Sequence, residues 1–104
     1  MNSLEQIAQA CRDVDNDWSA AEAMVKLNEE TGELAEAVLV TGGRNQHKTL
    51  KEPLVGEVAD VIICAVHVMS KAYPSVSARG LSLMLEDAIA TKQAKWIARV
   101  KVPA

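Results

Sequence analysis

Leu54-Val55-Gly56-Glu57-Val58-Ala59-Asp60-Val61-Ile62-Ile63-Cys64-Ala65-Val66-His67-Val68-Met69 is the stretch on which the fold turns. Its apolar residues follow no two-residue alternation, and sixteen residues is too long for an ordinary strand, so it reads as a helix. From Val61 to Met69 that helix is apolar on nearly every side. Such a helix is buried all round, and three neighbours within 104 residues hardly surround it. The sequence therefore predicts an oligomer, a homodimer or homotetramer. Pro53 suits the first turn of this helix, and Tyr73-Pro74 stops it after about Ala72.

Three more helices follow outward from this one. Upstream, Ser19 with Glu22 forms a capping-box pattern, opening a helix that runs to about Val40 and ends at Thr41-Gly42-Gly43. Ser3 with Gln6 repeats that pattern ahead of Leu4, Ile7, Ala8, Cys11 and Val14, until the run Asp13–Asp17 breaks the helix. Downstream, a helix starts between Pro74 and Ser82 and carries Leu83, Leu85, Ala88, Ile89, Lys92, Trp96 and Arg99. The polar segment 42–52, with His47, reads as a loop, and Val100 to Val102 is the one stretch with strand-like character. Sixteen alanines, no phenylalanine and one tyrosine suit close-packed helices and leave little bulk for a β-sandwich. With no linker or low-complexity segment, residues 1–104 read as a single all-α domain, a four-to-five-helix bundle.

Composition removes several classes of function. A net charge of −3 argues against a polyanion-binding surface, so no nucleic-acid partner is expected. The longest charge-free run, Val61 to Ser70, is about half the length of a membrane span. The charged first fifteen residues do not read as a signal peptide, which predicts a cytoplasmic protein without membrane contact. Cys11 and Cys64 have neither disulfide-framework nor metal spacing. Asp13-x-Asp15-x-Asp17 opens like a calcium loop, but Trp18 replaces its glycine and Met24 its final glutamate. Gly43 to Thr49 lacks the second glycine of a phosphate loop, and no Glu-x-x-His of a di-iron bundle occurs.

An internal echo points to chemistry. Shifted by 27 residues, Leu27, Glu30, Thr31, Glu33, Leu34 and Val38 fall on Leu54, Glu57, Val58, Asp60, Val61 and Ala65. Each helix thus carries two acids at i, i+3 beside an apolar stripe. On a wheel of about 100° per residue the first acid lies roughly 60° from the stripe centre and the second about 60° further on. Packed antiparallel, the helices bring four carboxylates together, which is costly unless a cation neutralises them or some are protonated. All-oxygen donors select a hard cation, Mg²⁺ with Mn²⁺ able to substitute, and Mg²⁺ commonly bridges carboxylates to phosphates. Glu29 and Glu36 lie opposite the stripe and read as a solvated face. Trp18 has two readings, a platform for stacking a base and a core anchor. His67 reads as a satisfied buried histidine.

At these residues the chain resembles the MazG-like family of all-α nucleoside triphosphate pyrophosphohydrolases. The likeness is carried by Glu29-Glu30-x-x-Glu33, Glu57-x-x-Asp60 and the flanking Gly32-Glu33-Leu34-Ala35-Glu36 and Asp60-Val61-Ile62-Ile63. It covers residues 27–69 well and 90–99 loosely. It implies that Glu30, Glu33, Glu57 and Asp60 bind Mg²⁺ holding a triphosphate, and that water attack releases nucleoside monophosphate and pyrophosphate. It also implies Glu29 as general base or outer partner. Lys92 and Lys95 would face the phosphates, although Lys92 stands where some relatives have Asn. Set beside this enzyme are two other readings, a non-catalytic helical oligomerisation module and a nucleotide or metal sensor.

Overall fold

The computed structural model of the chain describes residues 2–14, 17–43 and 52–101. Among them the architecture is all-α, with four helices and no strand: α1 (Ser3–Val14), α2 (Ala20–Thr41), α3 (Leu54–Ala72) and α4 (Ala78–Lys101). His47 and most of the expected 42–52 loop lie outside the described residues.

Local chemistry accounts for the helix ends. At α2, Ser19 Oγ accepts from Glu22 N at 3.1 Å and Glu22 accepts from Ser19 N at 3.2 Å, so both halves of the capping box form. The helix closes where Gly42 N donates to Val38 O at 2.9 Å, and Gly43 follows at φ 76°, a left-handed conformation open to glycine. The α1 cap differs from expectation. Asn2, not Ser3, supplies it, with Oδ1 accepting from Glu5 N at 2.8 Å. An asparagine one residue earlier caps equally well and leaves Ser3 inside the first turn. Pro53 stands just ahead of α3 rather than within its first turn. Ser77 Oγ caps α4 by accepting from Gly80 N at 3.0 Å. That helix continues through Val100 and Lys101, where strand character had been expected; Val102 lies outside the described residues.

Helix α3 is the hub. Helix α2 lies along it, while α1 packs on both α3 and α4, and α2 touches neither α1 nor α4. The apolar core gathers Ala8 and Cys11 from α1, Val66 from α3, and Ala78 and Leu81 from α4, with Ile7, Met69 and Leu85 packed against them. Full burial of a leucine such as Leu81, 1% exposed, contributes about 1.5–3 kcal/mol. The turn between α3 and α4 is held by Arg12 of α1. Its guanidinium donates to the carbonyls of Tyr73 (2.9 Å), Pro74 (2.7 Å) and Val76 (2.7 Å), of which Tyr73 O also accepts from Val76 N at 3.1 Å within the turn.

The all-round burial expected for α3 is not met within one chain. Ile62 and Ile63 remain 46% and 45% exposed. From Asp87 to Val100, α4 is exposed residue by residue, Ile89, Trp96 and Ile97 included. The radius of gyration, 16.4 Å, exceeds the roughly 13 Å of a compact domain of this length. No helix among the described residues is long and apolar enough to cross a membrane.

Replacing Arg12 with Ala is expected to cost about 1.5–3 kcal/mol by removing its charge-assisted hydrogen bonds to the turn, seen as a lower Tm. Arg12→Lys should recover only part of the loss, because an ammonium cannot fan across three acceptors as a planar guanidinium does. Equal melting of Arg12→Ala and wild type would remove this tie from the fold.

Candidate functional site

The buried positions of α2 are Ala23, Glu30 and Ala37, spaced by sevens. Two alanines and a glutamate thus form the centre of the seam against α3. The stripe read from the sequence is displaced: Leu27 and Leu34 are half-buried at the flanks and Val38 is exposed. The reason is steric. Alanine methyls let two helices approach closely, and bulkier leucines are then accommodated beside the line of closest contact. Glu30 consequently sits in the seam rather than about 60° from it. The helices run in opposite directions, since Trp18 meets His67, Lys26 borders the same cavity as Ile63 and Cys64, and Glu33 lies near Glu57.

That arrangement brings the acids together in two groups. Glu30, Glu33 and Glu57 form one, and Glu52, Glu57 and Asp60 the other, with carboxylate oxygens in each within 4.8 Å of one another. Glu57 belongs to both. The Glu30 side chain is only 9% exposed, with Oε1 3.2 Å from Lys26 Nζ and Oε2 buried without a hydrogen-bond partner. Glu57 Oε2 is buried and unpartnered too. The neighbouring charge of Glu30, followed by desolvation, pushes the Glu33 carboxyl above its usual range. Contact with Asp60, then desolvation and the charges of Asp60 and Glu57, raises Glu52 likewise. Lys26 is shifted upward by its hydrogen bond to Glu30. A set of oxygen-only donors, two of them buried with nothing to accept from, suits a hard cation.

Beside the acids a cavity of about 530 Å³ opens between α1, α3 and the entry to α2. Its walls include Ile7, Cys11, Trp18, Lys26, Cys64 and His67. The Trp18 ring stacks on His67 with centroids 6.0 Å apart and planes at 27°. His67 Nε2 is buried without a partner, so the expected satisfied histidine is not found. Desolvation, assisted by the charge of Lys71, lowers its pKa. Cys11 and Cys64 are both free thiols, raised in pKa chiefly by burial.

The structure therefore gathers Glu30, Glu33, Glu57 and Asp60, and sets Trp18 in the adjoining cavity. Glu29 stays outside both acid groups, 61% exposed, with Oε2 3.6 Å from Lys26 Nζ. Glu36 is half-buried. Lys92 and Lys95 lie on the exposed part of α4, which does not touch α2, so one chain does not bring them to the acids. Lys92 instead borders a shallow apolar groove with Leu85, Ile89 and Trp96. Glu52 escaped the sequence reading because it precedes Pro53 and belongs to neither i, i+3 pair. The signal was its spacing, since 52, 56 and 60 fall on one face of a helix continued backwards by a turn. Comparison of the chain with the models of known protein families, with curated proteins and with solved structures gave no match.

The lowered pKa of His67 fixes the sign of a pH effect. The unfolded chain takes up a proton near the ordinary value of about 6.5, which the folded site resists, so stability is lost as pH falls through that value. Between about pH 8 and pH 5 the Tm of wild type should therefore fall relative to His67→Gln. A difference between the two that does not vary with pH would show that His67 is not held neutral by its surroundings.

Proposed function

We propose that the chain is a nucleoside triphosphate pyrophosphohydrolase of the MazG-like type, dependent on Mg²⁺ with Mn²⁺ able to replace it. The observation that carries this reading is Glu30, a carboxylate in the middle of a helix seam with one oxygen on Lys26 and the other unpartnered, beside Glu33 and across from Glu57 of α3. An apolar or merely structural seam has no use for such a group, because burying a charge costs several kcal/mol unless it is compensated (roughly, after relaxation).

Glu30, Glu33, Glu57 and Asp60 would hold the cation. When bound, Mg²⁺ supplies charge neutralisation for a triphosphate and alignment of the attacking water. Lys26 holds Glu30 through Oε1, and the unpartnered Oε2 would be available to a cation. In the reaction a water oxygen bonds to the α-phosphorus as the bond to the bridging oxygen breaks, yielding nucleoside monophosphate and pyrophosphate. The water proton needs an acceptor, and Glu29, exposed one residue before Glu30 and beside Lys26, is the proposed base. Trp18, lining an apolar cavity that Lys26 also borders, stacks on His67 and offers an aromatic surface for a base.

The half-exposed isoleucines of α3 and the exposed apolar residues of α4 support a homodimer or homotetramer. In such an assembly Lys92 and Lys95 would reach a triphosphate from the α4 of another copy, since a chain's own α4 stands apart from α2. The proposed role is clearance of non-standard or surplus triphosphates from a cytoplasmic nucleotide pool.

Glu30→Gln keeps the shape and removes the charge, and pyrophosphate release from a nucleotide panel should drop to background. Mg²⁺ at one hundred times its Kd should stabilise the wild type by about 2.7 kcal/mol, and Glu30→Gln far less. Light scattering should give a mass at least twice 11.2 kDa. Turnover of Glu30→Gln at the wild-type rate would reject the site, and absence of any turnover with full Mg²⁺ stabilisation would favour the sensor reading.

A further inference from the structure

We propose that Lys26 is a substrate-contacting residue whose ammonium donates to the α-phosphate of the bound nucleotide, the group at which the bond breaks. This rests on the reading of the chain as a pyrophosphohydrolase and adds to it a residue outside the acid pairs. Lys26 stands at a junction. Its Nζ lies 3.2 Å from Glu30 Oε1 and 3.6 Å from Glu29 Oε2, and its side chain also borders the apolar cavity lined by Trp18 and His67. Among the described residues of that cavity Lys26 alone carries a charge at neutral pH, since desolvation keeps His67 neutral.

Order along the helix pair matches order along a nucleotide. Trp18 and His67 come first, then Lys26 and Cys64, then Glu30, then Glu33 with Glu57. Lys26 precedes Glu30 by four residues, about 6 Å of helix rise on the side of the cavity. A nucleotide runs base, sugar, α-phosphate, pyrophosphate. With the base against Trp18 and the pyrophosphate end at the acids, the α-phosphate falls beside Lys26. The ammonium has donors to spare, because Glu30 takes one of three and the side chain is 42% exposed. A triphosphate brought toward carboxylates is repelled by them, and a fixed positive charge on the cavity side offsets that repulsion. Such a charge on the transferring phosphoryl group also stabilises the transition state. Glu29, the proposed base, lies against the same ammonium, so the water it activates would stand next to the phosphorus under attack.

The test uses the full chain with Mg²⁺, the four common deoxynucleoside triphosphates and dUTP. For the one hydrolysed fastest, both diastereomers of its α-phosphorothioate are compared with the oxygen parent. Lys26→Met keeps the length of the side chain and removes its charge. Its kcat/KM is expected to fall about 100-fold, while Mn²⁺ affinity without nucleotide stays within about threefold of wild type. For one diastereomer the ratio of oxygen rate to sulfur rate should fall about tenfold in Lys26→Met, because the donor that sulfur disturbs is gone. Lys26→Arg keeps the pair with Glu30, and with it the fold, and should shift the same ratio at unchanged Mn²⁺ affinity. Two results would overturn the phosphate contact and leave the pyrophosphohydrolase reading standing. One is an unchanged kcat/KM in Lys26→Met. The other is a loss matched by an equal loss of Mn²⁺ affinity, with both sulfur ratios as in wild type, which would mean that Lys26 acts only through Glu30. No turnover of any triphosphate by wild type would overturn both readings.

Discussion

The central constraint on this molecule is an ionisable side chain in the line of closest contact between two helices. Glu30 occupies the middle of a seam whose other buried members on α2 are Ala23 and Ala37. The alanines let α2 and α3 approach, and the approach removes Glu30 from water. Lys26 compensates one oxygen and leaves the second facing Glu33 and Glu57. The seam therefore trades packing stability for a concentration of negative charge.

Around that seam the rest of the chain is arranged as support. Helix α1 packs on α3 and, through Arg12, fixes the turn into α4. The same helix supplies one wall of the cavity whose other walls are α3 and the residues leading into α2. The acids and the aromatic pair Trp18 and His67 thus lie along one helix pair, one group toward the start of α3 and the other toward its end. Neither group depends on α4, whose distal half extends beyond the single-chain core.

Much of this was legible in the residues, and the failures have definite causes. The Ser19–Glu22 capping box and the stop at Gly42-Gly43 are local chemistry and form as read. Convergence of the acid pairs followed from equal spacing on consecutive helices and is seen in the two overlapping groups. The phase of the α2 seam differs from the leucine stripe because close helix approach favours the smaller alanine side chains at the line of contact. Glu52 was invisible to helical periodicity because Pro53 separates it from the helix whose face it joins. The apolar run of α3 indicated more burial than one chain provides, and Lys92 and Lys95 were read beside the acids from sequence likeness, which carries no information about where α4 points.

The alanine spacing has a consequence for how the cluster responds to change elsewhere. Ala23 and Ala37 sit one heptad either side of Glu30, and together they set the gap across which carboxylates on opposite helices face each other. Interaxial separation follows the bulk of the side chains at the contact. A branched residue at either alanine would act as a wedge, parting the oxygens without touching any of them. These two methyl groups are in effect the calipers of the cluster, and the separation of its oxygens is the dimension they set.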